Sequence, residues 1–369
     1  MYLLPPARAG LQQFTMNFSS DNWAGASPKV SAALERIGGG YNPAYGNDDR
    51  TQRVSDWFCE IFEREVAVFF VGTGSAANSL ALAAMMRPGG LVFCHRQSHI
   101  NVDECGAPEF FTGGGKLVPL PGAAGKLDAA TLARALGRFD PPSVHSGRPV
   151  AVSITQSTEA GTVYTPAEIR AIADVAHGAG LQLHMDGARF ANALASLNVA
   201  AADITWRAGV DVLSFGATKN GCWCAEAVVF FDRSEVGDFE YLRKRSGQLF
   251  SKSAFVAAQF EGYFEQGHWL DNAVHANHMA ERIGRVVAET PGARLAFPVE
   301  ANEVFAIWPK ETTARLKAAG ASFYVWPGDS LADGEGPGAD EDMVRLVTSY
   351  ATRLAEVAAF IDVLQRLRV

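Results

Sequence analysis

Cysteine and lysine are the scarce residues of this chain. Five cysteines, Cys59, Cys94, Cys105, Cys222 and Cys224, are scattered through 369 residues. An odd number without Cys-x-x-Cys or zinc-type Cys/His spacing excludes a disulfide-stapled scaffold, gives no expectation of a metal, and fits reduced thiols in a cytoplasm. Basic side chains are also short: 32 Lys and Arg face 40 Asp and Glu, a formal charge of −8. No broad positive field is available for a phosphate backbone, so nucleic-acid binding is excluded as the first reading. Long apolar runs are missing as well. The most apolar stretch, 66–86, is broken by Gly72-Thr73-Gly74-Ser75 and by Asn78, whereas a membrane span needs about 20 predominantly apolar residues. The residues after Met1 lack a basic region followed by an apolar one, so no cleaved leader is expected. What remains is 48% apolar residues with 36 Gly and 17 Pro, enough for a large core in one large α/β unit or about two domains.

Short β-branched and aromatic runs alternate with helix-period segments. Strands are expected at 66–71, 91–94, 116–120, 150–155, 181–185, 210–215 and 227–231, with helices at 76–86, 128–139 and 166–179. Such alternation implies βαβ units and a mostly parallel sheet. From 235 to 290 the pattern is helical. Strands follow near 303–308, 322–326 and 343–348, and a last helix at 351–367. The expected fold is a large α/β domain over 45–265, with a smaller α+β domain built from 1–44 and 266–369. The turn-rich segments at 140–147 and 332–342 belong in surface loops.

Three segments carry chemistry. Gly72 to Asn78 follows a strand and opens a helix, which presents free N–H groups and hydroxyls to an anion. It lacks a P-loop lysine and the three-glycine spacing of a dinucleotide site, so a tight turn without a ligand stays open. Asp186 follows the strand at 181–185, at the sheet edge where open α/β folds build sites, with a helix N-cap as the alternative. His184, on the same strand, reads as a satisfied core histidine. Lys219 is one of only eight lysines and follows an apolar strand through small residues. That setting partly desolvates an amine and favours nucleophilic use, although a solvated loop is the commonest place for a lysine. In the order anion turn, carboxylate, amine, the three suit pyridoxal 5′-phosphate.

Ser20-Asp21-Asn22, Tyr45-Gly46-Asn47-Asp48, the 72–78 turn, Ser98-His99-Ile100-Asn101, the stretch 154–164, His184 to Arg189 and Ser214 to Gly221 resemble the L-threonine aldolase family. Within it, the low-specificity and phenylserine aldolase branch is the most similar. The likeness runs from about 18 to 364 and implies a fold-type I pyridoxal-phosphate enzyme. By that resemblance Lys219 holds the cofactor covalently, Asp186 meets its pyridine nitrogen, Thr73, Gly74 and Ser75 hold its phosphate, and His99 stacks on its ring. Ser20, Arg189 and Arg345 are expected at the substrate carboxylate, and Tyr45 in the substrate site. Glu159 stands where better-known members have a second histidine, which leaves His99, Glu159 or a water to take the hydroxyl proton. Ser251 or Lys252, in a stretch like one that reaches a neighbouring subunit's phosphate, completes the set. A homodimer or homotetramer is implied.

The resemblance thus implies cleavage of the Cα–Cβ bond of a small β-hydroxy-α-amino acid to glycine and an aldehyde, with Glu159, His99, Asp186 and Lys219 catalytic. The alternatives are a β-eliminating lyase on the same cofactor and a non-catalytic α/β binding protein. The latter leaves the joint occurrence of Lys219, Asp186, His99 and Arg345 unexplained.

Overall fold

Residues 150–154 are buried in an unbroken run, the pattern of a strand covered by helices on both faces. The computed structural model, which describes residues 16–328, 331 and 334–366, builds a seven-stranded sheet around that run. In chain order the strands are β1 Met16–Asn17, β2 Ala67–Val71, β3 Gly90–His95, β4 Lys116–Leu120, β5 Arg148–Thr155, β6 Gln182–Gly187, β7 Val212–Gly216, β8 Glu226–Phe230, β9 Arg294–Leu295, β10 Glu303–Pro309, β11 Ala321–Ser322, β12 Tyr324–Val325 and β13 Glu341–Val347. The large sheet has the order β2-β8-β7-β6-β5-β3-β4. All its neighbours pair in parallel except β8, which runs against both β2 and β7. The carboxyl ends of β2, β3, β5, β6 and β7 therefore lie along one edge, and the amino end of β8 joins them: Glu226 is in register with both Val71 and Gly216.

Helix Gly74–Met85 starts where Thr73 caps it, the Thr73 hydroxyl accepting the Ala76 N–H at 3.1 Å. It is buried through Ala77, Leu80, Ala81, Leu82 and Met85. Helix Pro166–Gly178 opens on a reciprocal Thr165/Glu168 capping box with Pro166 in its first turn, a combination that fixes the helix start. Two helices before β2, Pro28–Ile37 and Asp49–Phe62, go beyond the sequence expectation. Their polar residues face water while Val54, Phe58 and Phe62 face inward, four residues apart. Phe58 is the hub, with Phe62, Phe70, Phe215, Phe260 and Phe264 ring centroids 5.1–6.3 Å away.

A second, antiparallel sheet of order β12-β13-β10-β9 is covered by helices His268–Ala288 and Leu354–Arg366. One strand expected at 322–326 is two. β11 pairs in parallel with β1 from the beginning of the chain, β12 pairs with β13, and buried Phe323 between them turns into the core. The helical region after 235 is interrupted at 246–253, where Gly247 adopts a left-handed φ of 76°. The last helix begins at Leu354, three residues later than expected. Residues 140–146 are exposed throughout. The expected leaderless start, the first 15 residues of the smaller domain, Ala332, Asp333 and the helix end at 367 lie outside the described residues. No helix among those described is long and apolar enough to cross a membrane.

Candidate active site

β7 delivers the chain into a single 3-10 turn, Thr218–Asn220, which carries Lys219 over the sheet edge. The turn is fastened from three sides. Asn220 Nδ2 donates to the Tyr263 hydroxyl and the Trp269 carbonyl, both at 2.8 Å. Asn272 Nδ2 donates to the Asn220 carbonyl at 2.9 Å, and Glu226 Oε2 accepts the Ala217 N–H at 3.2 Å. Gly216 is required before it, since a Cβ there would lie 2.5 Å from the Ala188 carbonyl oxygen.

On the neighbouring strand, Asp186 is the penultimate residue of β6, with only 3% of its surface exposed. Its Oδ1 accepts the Ala188 N–H at 3.0 Å and its Oδ2 accepts Asn78 Nδ2 at 2.8 Å. The same Asn78 amide nitrogen donates to Glu104 Oε1 at 2.8 Å, and His99 Nδ1 lies 2.9 Å from that oxygen. A carboxylate brings no proton, so Nδ1 donates and Nε2 is left as the open ring atom. The hydrogen bond to Glu104 raises the His99 basicity against the opposing effect of burial. His184, by contrast, is closed off between Ser153 and Ser214, each at 2.9 Å, and burial lowers its pKa to about 4.

Glu159 approaches from the loop after β5. Its Oε1 accepts the His99 N–H at 2.7 Å and the Thr155 hydroxyl at 3.0 Å, while Oε2 is buried with no hydrogen-bond partner among the described residues. Burial, reinforced by the nearby Asp186 charge, pushes the carboxyl up to about 7. A carboxyl poised there exchanges a proton readily at neutral pH.

At the carboxyl end of β2, Thr73 uses its hydroxyl and carbonyl on the N–H groups of Ala76 and Ala77. The N–H groups of Gly74 and Ser75, first in the helix, remain for an anion. The interrupted segment 246–253 packs over this turn. Gln248 Oε1 accepts the Gly72 N–H at 2.9 Å, and a Cβ on Gly72 would meet the Phe250 ring at 2.8 Å. Ser251 and Lys252 follow in an exposed turn. The Ser251 carbonyl receives the Tyr45 N–H at 3.1 Å, and Tyr45, at φ 62°, lies under the Lys244 ammonium, 5.0 Å from its ring centroid. Among the described residues no hydrogen bond or ion pair joins Tyr45, Ser251 or Lys252 to the Asp186 cluster.

The smaller sheet closes the site with charge. Arg189, just after β6, donates through Nε and Nη2 to Asp21 at 2.7 and 3.2 Å, and its Nη1 is 3.2 Å from Glu303 Oε2. Burial works against the guanidinium charge, but Asp21 and Glu303 outweigh it and hold Arg189 firmly protonated. Burial likewise tends to raise the Asp21 carboxyl, yet Arg189, Lys219 and Asn302 keep it below the usual range. Arg345 on β13 is different: its guanidinium carbon lies 4.1 Å from the Trp326 ring centroid, and its buried Nε has no hydrogen-bond partner among the described residues. Burial lowers its pKa, with Glu303 opposing. Ser20 accepts the Asn22 N–H at 3.1 Å, which leaves the hydroxyl proton for a ligand.

The fold thus gathers Lys219, Asp186, His99, Glu159, Arg189 and Arg345 into one charge-linked group. Sequence reasoning misses Asn78, Glu104, Glu226 and Glu303 as site residues. The signal available for Asn78 and Glu226 is a polar residue in an otherwise apolar buried element. For Glu104 and Glu303 the partners come from distant segments. An amine, a fixed carboxylate, an anion turn and a stacked guanidinium at one edge can hold a phosphorylated carbonyl compound beside a carboxylate-bearing amine.

The profile of the beta-eliminating lyase family matches residues 17–310. A low-specificity L-threonine aldolase of a Pseudomonas species is 45% identical over 319 residues, 86% of this chain and 91% of its own length. A solved threonine aldolase of Leishmania major superposes with a TM-score of 0.88 at 30% identity, covering 96% of this chain and 100% of that one. At 14% identity Oryza sativa TDC, solved with PLP and tryptamine, shares the fold with a TM-score of 0.73 over 96% of this chain and 84% of its own.

Proposed function

This chain belongs to the beta-eliminating lyase family and has the fold-type I architecture of pyridoxal-phosphate enzymes, and we propose that it is an aldolase of β-hydroxy-α-amino acids. L-Threonine, L-allo-threonine or L-phenylserine is cleaved between Cα and Cβ to glycine and an aldehyde. The residues fit pyridoxal 5′-phosphate. Among the described residues the first two N–H groups of helix Gly74–Met85 are uncommitted, and beyond Gly74's own chain neighbours and helix backbone nothing lies within 4 Å of its Cβ position. When bound, the cofactor supplies a covalent handle for the substrate amine and an electron-poor ring for the pair released at Cα.

We assign the roles as follows. Lys219 supplies the amine that holds the cofactor, and Asp186, oriented by Asn78 and the Ala188 N–H, meets its ring nitrogen. Thr73, Gly74 and Ser75 receive the phosphate, with Ser251 or Lys252 of a neighbouring copy. Arg345, flattened on Trp326, grips the substrate carboxylate with its free edge, Ser20 donates to it, and Arg189 adds charge from behind Asp21. Such a grip orients the Cα–Cβ bond for cleavage. Glu159 Oε2 takes the β-hydroxyl proton, and His99, steered by Glu104, covers the same face. The observation that carries this reading is the unpartnered, buried Glu159 Oε2 in the same cluster as Lys219 and Asp186.

The large unit over 45–265 then holds the cofactor, and the unit from both chain ends grips the substrate. Exposed Trp23, Tyr41, Tyr45 and Trp223 on segments adjoining the site support a homodimer or homotetramer, and five cysteines free of disulfides support a cytoplasmic setting. Purified protein with added cofactor should release aldehyde and glycine in equal amounts from threonine, allo-threonine or phenylserine. Ammonia and a keto acid without aldehyde would establish β-elimination instead.

A further inference from the structure

Glu226 is an anomaly in its strand. It opens β8, whose other residues are Ala227, Val228, Val229 and Phe230, and only 6% of it is exposed. Burying a carboxyl between Val71 and Gly216 is costly where an apolar residue would complete the ladder. The carboxyl is spent on the turn beside it. Oε2 accepts the Ala217 N–H at 3.2 Å. Thr218 Oγ1, occupied as an acceptor by the Ala225 N–H at 3.2 Å, gives its proton to Glu226. Both contacts fall on the two residues immediately before Lys219, the cation whose charge reaches this carboxyl.

We propose that Glu226 is a positioning residue for the reaction: it clamps the turn that presents Lys219 and gives the lysine nitrogen a buried countercharge. The inference rests on the reading that Lys219 carries the cofactor. The other titratable groups around Glu226 are Cys222 and Cys224, from the loop between the turn and β8, and Tyr263 from helix Ala254–Phe264. All three are neutral near pH 7, burial holding each in its protonated form. Lys219 is thus the positive group that a charged Glu226 stabilises. Burial pushes the Glu226 carboxyl up to about 7, with Thr218 and Lys219 opposing, so the countercharge develops as pH rises through neutrality.

The test uses the cofactor-loaded protein and needs no substrate. Glu226→Gln keeps an acceptor for the Ala217 N–H and removes the charge. The pH midpoint of the visible absorbance of the lysine-bound cofactor should fall by about half a pH unit or more, because a positive nitrogen has lost its countercharge. Borohydride reduction and peptide mapping must still find the cofactor on Lys219. An unmoved midpoint with the cofactor on Lys219 overturns the proposal, whereas cofactor on another residue in the unsubstituted protein overturns the reading beneath it. If Glu226→Gln does not fold, Thr218→Val, which removes the hydroxyl favouring the charged carboxyl, should shift the midpoint in the same direction. No shift there overturns the proposal equally.

Discussion

Glu159 enters the site with Oε1 committed to His99 and Thr155 and Oε2 without a hydrogen-bond partner among the described residues. If Oε2 takes the hydroxyl proton, kcat/KM rises with pH through about 7 as the carboxyl ionises. Glu159→Gln should remove that limb and lower kcat by roughly 10²–10⁴-fold, the usual contribution of a general base. Stability runs the other way. The folded carboxyl lies above its unfolded value near 4.5, so its contribution is full below that value and is lost as pH climbs to about 7. Melting curves of Glu159→Gln should therefore depend less on pH between 5 and 8 than those of the unsubstituted protein. Arg345→Ala should raise KM roughly tenfold to a few hundredfold, the worth of a charge-assisted contact, while cofactor retention on dialysis stays unchanged. Loss of cofactor with KM preserved would refute its role at the substrate. At this scale Lys219, Asp186 and the 72–78 turn are legible as candidates because each lies at or just beyond the end of an apolar strand. Glu104 is not, for its meaning depends on Asn78 in helix Gly74–Met85, 26 residues earlier.

Among elements, helix Asp49–Phe62 shows what packing contributes. Phe58 is fully buried among five other rings, including Phe215 of β7, which leads to Lys219. Phe58→Ala should cost about 3–5 kcal/mol, measured by urea unfolding, since the surrounding rings cannot all close the cavity. Less than 1 kcal/mol would mean that this aromatic cluster repacks freely. The central strands β3, β5, β6 and β7 can be placed to within a few residues because both of their faces are buried and their sequences are mostly apolar. Helices Pro28–Ile37 and Asp49–Phe62 are not legible in the sequence because their inward residues are few and widely spaced among charges. The division of 322–326 into two strands was equally hidden, as it depends on pairing with β1 about 300 residues earlier.

For the whole molecule, association is the open quantity that can be tested directly. Light scattering should report a dimer or tetramer. Mixed Lys219→Ala and Lys252→Ala subunits, each inactive alone, should regain part of the activity if one site draws on both copies; verified mixed oligomers without recovery would show that sites are not shared. The joining of chain ends has its own consequence. Asp21 and Arg189 are 168 residues apart, and Arg345 comes from a strand near the chain's end. During synthesis the strands of the large sheet, complete at Phe230, exist well before β10 and β13 do. Closing so long a loop adds little free energy, because the cost grows only with the logarithm of its length, but it must wait for the sequence to exist. If Arg345 grips the substrate as proposed, a nascent chain becomes competent for turnover only once β13 has been made and packed beside Asp21 and Arg189.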